Sequence, residues 1–191
     1  MSRSIVATGT GKVPDELFRV ISALVEPAVE LPGDPAGDPA GFVRATQSEV
    51  WRFVAALVDA GAADDLTQET YLRAFRGLDG FAGRSSARTW LLSIARHVCA
   101  DHIRTLQRRR RLEARLPRPE PVPDTAGLVG ALDLLAALPD ERREAFVLTQ
   151  LVGLSYEEAA VTCAVAIGTI RSRVARARTQ LVEQIAQARS G

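Results

Sequence analysis

The segment TIRSRVARARTQL, residues 169–181, carries four arginines and no acid while keeping an apolar residue at regular intervals. At 100° per residue, Ile167, Ile170, Val174, Ala177 and Leu181 gather in one narrow sector of a helix, which must pack on something. Gly168, Thr169, Ser172 and Arg176 point the opposite way, and Arg171, Arg173 and Arg178 flank the apolar stripe. Small and hydroxyl residues at an exposed centre let a backbone come close to a groove, and flanking arginines reach phosphates or a guanine edge. A membrane-surface helix fits poorly, because the stripe is narrow and lacks Trp and Phe. A basic face alone does not separate nucleic-acid binding from a solvated surface.

The element that positions this helix lies just upstream. In LSYEEAAVTCAVAIGT, Ser155 is a candidate N-cap, and Glu157 and Glu158 sit in the first turn of a short helix, where carboxylates favour the dipole. A three-residue connection, Ala164 to Ala166, then leads into the basic helix, which fits a helix-turn-helix. Here the sequence resembles the fourth region of extracytoplasmic-function (ECF) sigma factors. LSYEEAAVTCAVAIGTIRSRVARAR aligns without a gap on their usual pattern, departing where Ala164 replaces the turn glycine and Ala166 the proline. The resemblance implies a surface for the promoter −35 element made of Gly168, Thr169, Arg171, Ser172, Arg173 and Arg176. Other bacterial regulators use the same motif, so the first half of the chain must decide between them.

In ADDLTQETYLRAFRGL, residues 63–78, helical stepping places Tyr71, Ala74, Phe75 and Leu78 on a core side and Asp65, Gln68, Glu69 and Leu72 on an acidic side with an exposed leucine. An acidic face is by itself as readily solvated as bound. DDLTQET, however, resembles the second region of the same sigma factors. The resemblance implies that Asp65, Gln68 and Glu69 meet a basic helical partner on core RNA polymerase, with Leu72 as an apolar contact.

The following stretch, FAGRSSARTWLLSIARHVCADHIRTLQRRRR, resembles the part of that region that opens the promoter −10 element. Pairing hides a base's Watson–Crick edge inside the duplex, so reading it calls for a pocket for an extruded base and cations for the strand. The resemblance implies −10 contacts from Arg84, Ser85, Ser86, Arg88, Arg96 and Arg104, within and beyond a base-capturing loop at 80–88. Ser85 and Ser86 serve equally as helix N-caps. Trp90 shares a stripe with Ile94 and Val98, which suits a core residue better than a stacking platform. The run Arg108 to Arg111 adds charge for DNA or polymerase, or is a solvated helix end.

The whole chain sets bounds on these readings. Its 191 residues carry a net charge of only +1, so the protein is not basic all over, and such an average can hide opposed local charges that face different partners. LPGDPAGDPAG (31–41) and LPRPEPVPDTAG (116–127) interrupt the helical patterns. The fold class expected is all-α: two small helical domains joined by a flexible Pro-rich linker, the second a helix-turn-helix. Boundaries fall at 1–38 for an extension, 39–111 for the first domain, 112–127 for the linker and 128–187 for the second domain. Expected helices run from Phe42 to Val58, Asp64 to about Arg76 after an interruption at Gly61, Ala87 to Arg111, Leu128 to Leu138, Asp140 to Leu151, Ser155 to Cys163 and Ile167 to about Ala186.

Cys99 and Cys163 suit two reduced, buried thiols. His97 and His102 are five apart, off the i, i+4 chelating pattern, and are expected at the surface. With no phosphate loop, metal-ligand cluster or nucleophile and base pair in the sequence, neither enzyme activity nor a cofactor, metal or small-molecule substrate is expected. The N-terminus lacks a signal-peptide core and no apolar run approaches the ~20 residues that span a bilayer, so a soluble, cytoplasmic protein is expected. Core polymerase and promoter DNA are the partners the resemblance implies, and an anti-sigma factor is one it leaves open. Rival readings are an operator-binding dimeric regulator and an enzyme with a DNA-binding tail.

Overall fold

Aspartates start the first two helices. In this computed structural model, which describes residues 35–83, 85–113 and 128–190, Asp38 Oδ1 accepts from the Gly41 amide at 2.8 Å and Pro39 opens helix α1, Pro39–Leu57. Asp59 accepts from the Ala62 amide at 2.9 Å and opens α2, Ala60–Arg76. The helix thus begins four residues before the expected Asp64, and Gly61 lies in its first turn rather than interrupting the chain. First-turn amides have no intrahelical acceptor, so a side-chain cap there outweighs the modest penalty of one glycine. A short 3₁₀ turn, Leu78–Gly80, leads towards α3, Ala87–Glu113, where Ser86 Oγ accepts from the Thr89 amide at 3.1 Å. Phe42, Phe53, Leu91 and Leu92 fill the space between these helices, and the buried Thr46 and Tyr71 hydroxyls satisfy each other at 2.6 Å.

The C-terminal half holds α4, Leu128–Ala136, and α5, Asp140–Phe146. α5 runs directly into a π-helical turn, Val147–Leu151, closed by the Val152 amide on the Val147 carbonyl at 3.0 Å. The single helix expected over 140–151 is therefore continuous but wider in its last turn. Ser155 and Glu158 form a reciprocal capping box at the start of α6, Tyr156–Cys163. Ala164 ends α6 in the left-handed conformation, φ 54° and ψ 45°, so the turn keeps its geometry without glycine. α7 then runs Ile167–Ser190, a little beyond the expected end, with Ile170, Val174, Ala177 and Leu181 buried.

The described residues contain no strand, in agreement with the all-α expectation. The two halves are not separated in space: α1 packs on α4, α5 and the π turn, α3 packs on α6, and one apolar cluster runs from Phe42 to Leu181. Leu112 and Glu113 continue α3, while the rest of the expected linker, 114–127, and residues 1–34 of the expected extension lie outside the described residues. Among the described residues no helix is long and apolar enough to cross a membrane.

Candidate nucleic-acid interface

The helix-turn-helix delivers α7 with its apolar stripe inward, so the opposite face is fixed by geometry. Gly168, Arg171, Ser172 and Arg176 are exposed and Thr169 is half-buried. Ser172 Oγ donates to the Thr169 carbonyl at 2.9 Å, which holds the hydroxyl against the helix. A Cβ built on Gly168 meets nothing within 4 Å, so internal packing does not demand glycine there. Arg173 differs from its neighbours: Nη2 donates to Glu141 Oε2 of α5 at 2.5 Å and the side chain is mostly covered. Arg178 similarly donates to Gln150 at 2.7 Å and Arg142 of α5 to Gln180 at 3.1 Å. These polar ties, alternating with the buried stripe, fix the rotation of α7 about its axis and leave Arg171 and Arg176 as the outward cations.

On α2 the exposed line is Asp65, Gln68 and Leu72, with Leu72 44% exposed. Phe75, expected on the core side, is 38% exposed and stacks on Tyr71 with ring centroids 6.3 Å apart. Tyr71 is buried and bonded to Thr46, whereas Phe75 turns outward beside Leu72 and widens the outer apolar patch. Glu69 is half-buried and accepts from Arg73 Nε at 2.7 Å, while Arg73 Nη1 donates to Asp101 of α3 at 2.7 Å. Those hydrogen bonds hold Asp101 below, and Arg73 above, their usual proton affinities. Glu69 therefore belongs to a bridge between α2 and α3 as well as to the acidic face.

The −10 candidates are used differently. Ser86 is the N-cap of α3, Ser85 is half-buried beside it, and Arg84 lies outside the described residues. Arg88 donates from Nε to both Glu49 oxygens at 3.0 and 3.1 Å and from Nη2 to the Val152 carbonyl at 2.5 Å. Arg96 pairs with Glu144 of α5. Arg104 pairs with Asp101 and stays largely exposed. Trp90 is half-buried against Phe81, centroids 4.9 Å apart, closing the base of the loop that precedes α3. Thus two of the described arginines assigned to a DNA strand are engaged by the C-terminal half. Their acidic partners are 39 and 48 residues away in sequence, and no local spacing announces them.

Cys99 and Cys163 are both buried and free, their thiols pushed up to about 12 by desolvation first and by the nearby Glu144 carboxylate second. They stay protonated at neutral pH and make poor nucleophiles. His97 is exposed and His102 half-buried. Among the described residues no cluster of three or more metal-ligating side chains occurs.

Residues 42–109 match the family model for sigma-70 region 2, and residues 129–181 match that for sigma-70 region 4. The chain is 55% identical over 148 residues to the ECF RNA polymerase sigma factor SigC of Mycobacterium tuberculosis, covering 74% of this chain and 80% of that protein. The chain belongs to the ECF sigma factors. As a sigma factor it directs transcription initiation, and the operator-binding alternative is not favoured. This sigma factor is also 41% identical over 134 residues to EcfG of Rhodopseudomonas palustris, across 64% of this chain and 71% of that one. Among solved structures, the sigma factor RpoE of Bartonella quintana, crystallised with the anti-sigma factor NepR, superposes with a TM-score of 0.70 at 29% identity. That match covers 79% of this chain and 98% of RpoE. CnrH, solved in complex with the cytosolic domain of CnrY, shares the fold at a TM-score of 0.64 and 23% identity, over 90% of this chain and 95% of CnrH.

Proposed function

We propose that this sigma factor acts as a bipartite promoter reader on core RNA polymerase, with each half of the chain assigned one task. Residues 39–111 bind polymerase and open the −10 element, 128–187 read the −35 element as duplex, and 112–127 connect them. The outward face of α2, Asp65, Gln68, Glu69 and Leu72 joined by Phe75, docks on a basic helical surface of polymerase. Arg88, Arg96 and Arg104, with the 80–88 loop that includes Arg84, Ser85 and Ser86, hold the non-template strand. The α7 face of Gly168, Thr169, Arg171, Ser172 and Arg176 enters the −35 major groove, and Arg173 positions that face through Glu141.

The observation that carries this reading is the outward face of α7. It offers two exposed arginines around a glycine with open space beside it, on a helix whose rotation is fixed by buried apolar and paired polar contacts. That is the arrangement a groove-reading helix needs, with cations at the flanks and little bulk at the centre. The acidic and basic faces explain the near-neutral total, since polymerase and DNA call for opposite charges. The protein works in the cytoplasm, without catalytic chemistry of its own. An anti-sigma factor, the kind of partner crystallised with RpoE, is a candidate regulator of the same surfaces.

Run-off transcription on genomic promoter fragments with purified core polymerase tests this proposal. New discrete transcripts that appear only with this protein, and that vanish with Glu69→Lys while the fold persists, support it. Specific duplex binding without polymerase, at a palindromic site and with no transcripts, would replace it with operator regulation.

A further inference from the structure

Residues 15–25, DELFRVISALV, have no part in the promoter-reading assignment and lie outside the described residues. At 100° per residue, Leu17, Phe18, Val20, Ile21, Leu24 and Val25 fall within one sector, while Asp15, Glu16, Arg19 and Ser22 fall outside it. A helix of eleven residues is too short to be stable in water by itself, so this pattern calls for a surface to lie on.

The surface that suits it is on α2. Leu72 is 44% and Phe75 38% exposed, one turn apart on the same helix, whereas Val161 of α6 and Val182 of α7 stand singly. α2 packs on α1 and α3, and the seam with the C-terminal half is made by α1 and α3 themselves, so this face stays open when the halves meet. It is also near the point where the chain enters. α1 and α2 are joined by Val58 and Asp59 and run antiparallel, with Thr46 bonded to Tyr71. Phe42 is one turn before Thr46 and Phe75 one turn after Tyr71, so Phe75 lies level with the start of α1. That level is only about 5 Å along α1 from Pro39, while the nine residues 26–34 span up to about 30 Å when extended. Charge favours the same place. Residues 15–30 hold four acids and one arginine, and the last turn of α2 carries Arg73 and the exposed Arg76.

We infer that residues 15–25 lie as a short helix on the Leu72 and Phe75 face of α2, over its C-terminal half, and that core polymerase must displace them to dock. The cover stands on the apolar pair, the reach of the chain and the charge. The competition rests on the docking role proposed for α2. Asp65, Gln68 and Glu69, towards the other end of the helix, stay open to a basic partner, which gives polymerase a place to begin before the segment leaves.

Carbene footprinting of the full chain, read residue by residue with mass spectrometry, tests the cover. In the double variant Ile21→Asp, Leu24→Asp, labelling of Leu72 and Phe75 is expected to rise at least threefold, with Val161 and Val182 as unchanged references. The same variant is expected to bind core polymerase at least threefold more tightly. Equal labelling of Leu72 and Phe75 in the two chains overturns the cover. So does labelling of the unaltered chain that falls as protein concentration rises, which would make the occupant a second copy. A gain in labelling without a gain in polymerase affinity overturns the competition. Any of these results alongside polymerase-dependent transcripts refutes the inference alone, whereas the absence of such transcripts from both chains refutes the functional reading beneath the competition.

Discussion

The arginines of α7 and those of α3 are of one residue type and are assigned to one polymer, yet the fold treats them in opposite ways. Arg171 and Arg176 stand exposed on a helix whose other sides are anchored. Arg88 and Arg96 are turned onto Glu49, Val152 and Glu144, each under one-third exposed. Duplex reading needs a rigid face presented in advance, because the groove offers its donors and acceptors without rearrangement of the protein. Binding a melted strand happens only after the duplex opens, so cations committed to an internal partner until then cost little in function. The contrast is one between a surface that is ready and a surface that is held.

The largest effect expected concerns whether the two halves fold together. Phe146 on α5 is 1% exposed in the cluster that runs through both halves. Truncation to alanine is expected to cost about 3–5 kcal/mol, from lost transfer energy and the cavity left behind. If the seam couples the halves, near-ultraviolet circular dichroism and tryptophan fluorescence will shift together to lower denaturant in one transition. Trp51 and Trp90 lie in the N-terminal half and monitor it selectively. A tryptophan signal that keeps its original midpoint would mean that the halves are independent and the comparison is only one of position.

Next in size is the pair Arg171→Ala and Arg88→Ala. Loss of Arg171 is expected to leave stability unchanged and to reduce discrimination at one −35 position by about 1–3 kcal/mol, read from competition among mutated promoters. Loss of Arg88 is expected to destabilise the free protein by about 1–3 kcal/mol, because Glu49 and the Val152 carbonyl are left without their donor. Chemical denaturation of both variants checks the contrast. Equal stability of the two would show that the interactions across the seam contribute nothing net.

Much of this was legible in the residues, for identifiable physical reasons. Helix starts followed from Ser86 and Ser155, whose side chains can reach backbone amides only two or three residues away, so the information is local. The stripe Ile170, Val174, Ala177, Leu181 fixed the inward face of α7 and with it the outward one. Asp59 was a signal within reach for the start of α2, and Gly61 outweighed it wrongly because glycine is tolerated in a first turn. Phe75 misled because periodicity cannot say which of two neighbouring aromatics the core accommodates. What no local pattern carries is the partnership of Arg88 with Glu49 and Val152, Arg96 with Glu144, or Arg143 with Leu57. Charged residues are ordinarily solvated, and only the docking of the halves reveals that these are not.

Ala164 offers a smaller test, at the joint that sets the α6–α7 angle. A non-glycine residue at φ 54° is disfavoured by contact of its Cβ with the following carbonyl, by about 1–2 kcal/mol. Ala164→Gly relieves that contact but adds freedom to the unfolded chain, about 0.4–1 kcal/mol in the other direction. A net gain of up to about 1 kcal/mol in stability is expected by denaturant titration, with −35 affinity unchanged because the turn already has the glycine-like geometry. A change in promoter affinity would mean that alanine holds α7 at an angle that glycine does not reproduce, and that the ready surface depends on it.

Gly168→Ala is expected to change stability only slightly, and there stability and function should part. The added methyl has open space in the folded chain, and alanine is the better helix former, so a gain of a few tenths of a kcal/mol is expected. In the promoter complex that same space is where a phosphate or base edge would lie against the helix backbone. Weaker −35 binding by a more stable protein, measured by competition at fixed salt, would therefore place the N-terminal turn of α7 in the groove. Stability and affinity rising together would move the reading surface towards Arg176 and the helix centre. The prepared surface would then consist of arginines alone, with glycine contributing no close approach.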